Sequence, residues 1–293
     1  MIVSVYIPLL LGCLLAWLGT YLGRWFAPAA ATRLLTALAV LSATATTGSL
    51  LLMAVGGLLK TIAGPLAGQG GVLGVRDSVP WPVGAAAALV LAMLAVRLIR
   101  VVAFEVGILR ELREAVGFTD ESLLVFDDAR IYAYAVPVGR GTVVVSTAMM
   151  DTLDAGERRA LLAHEQAHLT HRHHLHRLAA SLGTALNPLL GPLAREVKLQ
   201  TERWADESAA TLTTRQVTAR SLARAALAAA MVPRASLAYA ADSIRERLDA
   251  LAAAPERNRW HTVVPAAVAC AIAGGALLDA AKACCRLIEI ICP

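Results

Sequence analysis

Residues 161–175, LLAHEQAHLTHRHHL, place His164, Glu165 and His168 in the order H-E-x-x-H. On a helix, residues four apart share a face. The two imidazoles can then bind one metal ion while the carboxylate between them leans toward the same site. Zn²⁺ held by two His and one further protein ligand keeps its fourth position for water and lowers the pKa of that water to about 7. Glu165 would be the base that takes the proton. The same residues also suit the polar face of a solvated helix, so the surrounding chain has to decide.

Two residues compete for the place of third ligand. His174 falls ten residues after His164, where metzincins put their third His, but those enzymes break the helix with Gly at the position held here by His171. Without that Gly the helix is expected to continue and carry His174 off the metal-facing side. Glu202 stands in E-R-W-A-D, four residues before Asp206, so the two carboxylates share a helix face. Glu202 could ligate while Asp206 orients a ligating His from behind. The plainer alternative, an acidic solvated face, is served by Arg203 and Glu207.

The elements needed to position these residues are legible. Residues 122–126 and 131–138 read as short strands, and Gly139-Arg140-Gly141 turns the chain into TVVVS, Thr142, Val143, Val144, Val145 and Ser146, which is strongly β-prone. This strand is expected to lie at a sheet edge and take an extended substrate by strand addition. Asp154 followed by Glu157 is the capping-box signature that starts the helix carrying His164 and His168.

The chain has 293 residues, 57% hydrophobic and only 17% charged, with a mean hydropathy of +0.61, too apolar for a soluble protein of this size. Residues 2–23, 34–59 and 81–96 read as membrane spans, the first not as a cleaved signal because it lacks a basic start and a small-residue end. The third is expected to run on past Arg97 and Arg100 and stop near Gly117. A fourth span covers 263–278, and an amphipathic tail follows it. Trp25, Trp81 and Trp260 lie at span ends, where amphipathic rings prefer the interface. Net charge is +5, but the Arg residues flank apolar runs and form no basic stripe interleaved with aromatics, so direct nucleic-acid binding is not expected. Arg24, Arg33, Arg97, Arg100, Arg257 and Arg259 fall on one side of a four-span arrangement, which puts the catalytic domain in the cytoplasm. None of the five Cys has metal-ligand spacing; Cys284, Cys285 and Cys292 could be oxidised if they face outward.

Residues 178–194 are apolar but too short and too broken, by Asn187-Pro188 and Gly191-Pro192, for a span. His168 and Glu202 flank this segment and must meet, so a crossing is excluded. A re-entrant or membrane-surface hairpin is expected, with Arg172, His173, His174, His176 and Arg177 forming a solvated face at headgroup level, a second metal site there being the lesser alternative.

Three blocks, AYAVPVGRGTVVVSTAMM (133–150), LLAHEQAHL (161–169) and ERWADESAA (202–210), resemble those of membrane-bound gluzincins, the BlaR/MecR-type antirepressor peptidases and their relatives of the HtpX and CAAX-prenyl-protease type. A weaker likeness covers IRERLDAL (244–251). The resemblance implies that His164, His168 and Glu202 bind one Zn²⁺ per chain and that Glu165 is the base. It makes Arg247 a candidate for contacting the oxyanion or substrate. No penicillin-binding domain follows the last span here, so a β-lactam sensor role is not expected.

The expected fold is a mainly α membrane protein with about four transmembrane helices and a small α+β zincin-like catalytic domain. It divides into spans at 1–100, a metallopeptidase domain at 101–260, and the last span and tail at 261–293. The expected function is regulatory cleavage of a protein substrate, a cytosolic DNA-binding repressor by resemblance. The alternatives are a housekeeping membrane-protein protease and, from another class, a non-catalytic receptor or scaffold, against which the intact Glu165 speaks. Oligomeric state is open.

Overall fold

The computed structural model describes residues 23–66, 79–117, 121–230 and 237–254 continuously, with single positions and short runs between 6 and 21 and between 264 and 285. The expected span at 2–23 is described only in part, as is that at 263–278. Arg257, Arg259, Trp260, Cys284 and Cys292 lie outside the described residues, and Cys285 is an exposed free thiol.

A 3-10 turn, Gly23–Trp25, leads into helix α1 (Pro28–Leu66), and α2 (Trp81–Val116) follows with Pro in its first turn. As expected, α2 runs past Arg97 and Arg100 and ends at Gly117, whose φ of 68° suits glycine and whose N–H donates to the Arg113 carbonyl. The two helices meet at a glycine pair: a Cβ added to Gly57 would lie 2.7 Å from Cα of Gly84. Only hydrogen on both sides lets the backbones touch there. Leu50, Met53, Val79, Ala87 and Leu94 close the rest of this core.

Pro28–Leu59 and Trp81–Val116 are long and apolar enough to cross a membrane. They differ in burial. The first is half covered by protein, whereas α2 leaves Leu89, Met93, Val96, Ile99, Val102 and Phe104 exposed, an apolar surface that water would penalise and lipid would not.

Strands β1 (Leu123–Phe126), β2 (Ala133–Val136) and β3 (Thr142–Ser146) form one sheet in the order β1-β3-β2, β3 parallel to β1 and antiparallel to β2. This corrects the expectation that Thr142, Val143, Val144, Val145 and Ser146 form the substrate edge. All five are buried, and β3 has a neighbour on each side. Among the described residues β1 and β2 are the outer strands, and β2 is the one whose edge borders the cleft that holds His164, Glu165 and His168. Ser146 N–H donates to the Tyr132 carbonyl, so in the antiparallel alternation Tyr134 and Val136 bond β3 while Ala133 and Ala135 turn their N–H and C=O outward.

Ser146 ends the sheet and caps α3 (Thr147–Thr152), accepting from Met149 N–H at 3.1 Å. The capping box then starts α4 (Ala155–Thr170): Asp154 accepts from the Glu157 N–H at 2.9 Å, and Glu157 accepts from the Asp154 N–H at 3.1 Å. Glu157 is fully buried and also accepts from Arg224 of α7 (Arg215–Ala230) at 2.8 Å.

The expected continuation of α4 beyond His171 does not occur. The helix ends at Thr170, and Arg172 takes a left-handed conformation with φ of 52° before α5 (His173–Leu186) begins. A non-glycine residue there costs roughly 1–2 kcal/mol, which the packing of the following His173 must offset. The hairpin breaks where its sequence predicts: Asn187 ends α5, its side-chain oxygen accepts from Leu189 N–H, and a 3-10 turn, Pro188–Leu190, leads to α6 (Gly191–Leu212).

This hairpin packs along α1. Ala180, Leu190, Leu193 and Val197 form one core with Leu35, Leu38, Ala39 and Ala43 of α1. His176 pairs with Thr36 and Asn187 with Thr46, so α5 runs beside α1 in the same direction for ten residues, about 15 Å, half the thickness of a bilayer's hydrocarbon core. Helix α8 (Leu237–Ala252) packs on α6 and α7.

Candidate metal centre

The α4 helix presents His164 and His168 one turn apart, and α6 crosses it with Glu202 facing them. The two Nε2 atoms are 3.2 Å apart, His164 Nε2 is 3.5 Å from Glu202 Oε2, and His168 Nε2 is 3.8 Å from Glu202 Oε1. Two Zn–N bonds of about 2.0–2.1 Å at a tetrahedral angle would separate their nitrogens by roughly 3.3 Å. The donor set therefore fits a single zinc ion. Among the described residues it is the group of His, Cys and acidic side chains that could hold a metal.

Behind this set lies a buried scaffold. Asp206, one turn after Glu202, accepts from His164 Nδ1 at 3.0 Å. Arg247 of α8 donates to both Asp206 oxygens at 2.7 Å and lies 2.9 Å from Glu202 Oε2. The expectation for Arg247 is thus corrected. Its guanidinium is committed to two carboxylates and lines a small cavity that shares Ala133, His164, Glu165 and Glu202 with the cleft over the metal-facing side, whereas Arg247 itself is not among the residues lining that cleft. The cation that does line that cleft is Arg177, which donates to Glu202 Oε1 and to Thr201.

Of the expected solvated face of Arg172, His173, His174, His176 and Arg177, Arg172 and His174 are exposed, and His173 is the correction. His173 is 1% exposed, with its Nδ1 2.8 Å from Nδ1 of His168. Sequence reasoning missed it because the break at Arg172 carries no glycine to announce it. His174 lines the cleft but contributes no donor atom to the cluster.

The electrostatics favour a cation at the point the Nε2 atoms share. Burial pushes His164 down, but the Asp206 and Glu202 carboxylates overcome it and lift the imidazole to about 10. Burial and the neighbouring His164 push His168 down to about 2. Burial also opposes ionisation of Glu202, yet His164, Arg247 and Arg177 hold its carboxyl well below the usual range. Glu165 is different. Burial raises its pKa, the direction that suits a group meant to gain and return a proton near neutral pH.

The cleft over these residues has a volume of about 390 Å³ and is bounded by Ala133, Tyr134, Ala135 and Pro137, so the free edge of β2 overhangs Glu165. A larger apolar cavity of about 1120 Å³ lies behind α4, against Leu162, Ala167 and Trp204, and includes none of the donors. The chemistry belongs to the smaller cleft, where the polar groups converge.

Residues 107–191 match Peptidase family M48. The match covers less than a third of the chain and includes the whole of α4 with His164, Glu165 and His168. It ends before Glu202, Asp206 and Arg247, which geometry alone brings to the site. No curated protein and no solved structure matches the chain. The M48 match supports a metallopeptidase of zincin type and leaves the BlaR/MecR subtype open.

Proposed function

We propose that this protein is an integral-membrane zinc metalloendopeptidase that hydrolyses peptide bonds of a protein substrate. The observation that carries this reading is the convergence of His164, His168 and Glu202 beneath a free strand edge, with Glu165 beside them. Those three would hold the ion, which when bound supplies Lewis acidity at that point.

The chain's own groups do the rest. The outward N–H and C=O groups of Ala133 and Ala135 bind an extended backbone as an added strand. The Glu165 carboxylate accepts a proton from the attacking water and returns it to the leaving amine. Asp206 and Arg247 hold His164 and Glu202 in place. Burial of the His and Glu side chains keeps competing water away from the ligating atoms.

The exposed apolar face of α2 supports a membrane location, and the Arg distribution supports a cytoplasmic active site in a multi-pass protein. A cytosolic repressor-like substrate rests on the resemblance of the three sequence blocks.

The test uses full-length protein in detergent and a generic unfolded protein as substrate. Glu165→Gln should lower cleavage by about 10²- to 10⁴-fold while retaining about one zinc per chain. Full cleavage by Glu165→Gln, or by protein stripped of metal, would sink the reading. Comparing proteomes of cells expressing wild type and Glu165→Gln then identifies the substrate from products that vanish.

A further inference from the structure

We propose that His173 is a positioning residue for the metal site: its Nδ1 accepts the Nδ1 proton of His168 and so fixes the tautomer in which His168 Nε2 offers its lone pair to the ion. The proposal rests on the metallopeptidase reading above and deepens it.

Two Nδ1 atoms 2.8 Å apart form a hydrogen bond only if one carries the proton and the other does not. His168 Nε2 faces His164 and Glu202, so as a ligand it must be unprotonated, and its proton must sit on Nδ1. His173 is then the acceptor, with its own proton on Nε2. That Nε2 is buried with no hydrogen-bond partner among the described residues, so none of them competes for the tautomer from the far side of the ring.

The local fold is built to make this contact. On an unbroken helix the residue five places after His168 would sit about 140° around the axis, facing away from it. The left-handed conformation of Arg172 stops α4 and starts α5 one residue later, and this brings His173 back against His168. The ring is then held by Trp204, with centroids 4.9 Å apart, and by His171, at 5.7 Å. Trp204 belongs to α6, so the helix that carries Glu202 also packs the ring that backs His168.

The two ligating imidazoles are thus supported unequally. His164 leans on a carboxylate, which raises its basicity, whereas His168 leans on a neutral ring that sets its orientation and tautomer without adding charge.

The experiment measures zinc affinity of the full chain by chelator competition, together with the visible spectrum of the Co²⁺-substituted protein. His173→Phe keeps the ring and removes the acceptor. It should weaken zinc binding about 10- to 100-fold and shift the Co²⁺ bands, with the thermal midpoint of the metal-free protein unchanged. His173→Asn places an amide oxygen where Nδ1 stands and should recover affinity to within about threefold of wild type. His173→Ala carries the same comparison with Asn if the Phe ring misfits. Unchanged affinity in the Phe and Ala variants, or Asn binding as weakly as they do, would overturn the proposal. Wild-type protein that takes up no zinc would instead remove the metal site itself, a separate and visible failure.

Discussion

Arg247 donates to both carboxylate oxygens of Asp206, through Nε and Nη2, at 2.7 Å each. Because Asp206 also accepts from His164, a ligand on α4 is held by a residue on α6 that is itself held from α8. Asp206→Asn keeps the shape but removes the charge that favours a basic His164. Zinc affinity should fall about 10- to 100-fold, and added zinc should restore part of the lost activity. Unaltered affinity in a metal-competition assay would show that this chain of contacts does not support the ligand.

Arg247→Met leaves the Asp206 and Glu202 carboxylates buried without their shared cation. Breaking a buried pair in this way costs about 3–5 kcal/mol, so the metal-free protein should unfold at a clearly lower temperature. Arg247→Lys should not recover the loss, since an ammonium cannot match the two-pronged geometry. If Arg247 instead served only the reaction, its removal would lower turnover and leave the unfolding temperature alone.

Ala135→Pro deletes one outward donor on the free edge of β2 and spares the ladder to β3, a position where a sheet tolerates proline. Losing one backbone hydrogen bond to substrate, at about 0.5–1.5 kcal/mol, should lower kcat/KM up to roughly tenfold with zinc content unchanged. Equal kcat/KM in a peptide-cleavage assay would mean that substrate does not add to this strand.

Gly84→Val puts two methyl groups where α1 and α2 touch backbone to backbone. Overpacking of this kind typically costs about 1–3 kcal/mol, and here it should separate the helices and lower thermal stability in detergent. Gly107→Val on the same helix is the control, since a Cβ there meets nothing within 4 Å. Similar melting of both variants would show that the crossing is looser than its geometry implies.

What the sequence made legible was local. His164, Glu165 and His168 declare themselves by spacing, and Asp154 and Glu157 mark the helix start through contacts three residues apart, so neither needs a tertiary partner to be recognised. Glu202 and Asp206 were accessible because two carboxylates four apart must share a helix face. The misplacement of Thr142–Ser146 has a physical reason: β-propensity reports that a residue suits a pleated surface, not whether one or two strands flank it. The unbroken apolar run Val143-Val144-Val145 was the available cue, since a strand buried on both faces does not alternate. His173 and Arg177 were hidden by the turn at Arg172, where an ordinary side chain takes a conformation usually reserved for glycine. For Arg247 the sequence marked the residue, but its partners, forty-one and forty-five positions earlier, are tertiary.

The shared core of Leu35, Leu38, Ala39 and Ala43 with Ala180, Leu190, Leu193 and Val197 limits how this protein can be dissected. A polypeptide excised at residue 101 would keep every group of the site and lose the helix on which both arms of the hairpin lean. Leu190, Leu193 and Val197, each fully covered in the whole chain, would face solvent, and Glu202 would approach His164 on an arm with no rail. The half of the chain that carries the site is therefore not a cargo tethered to α1 and α2. Helix α1 is itself one of its walls.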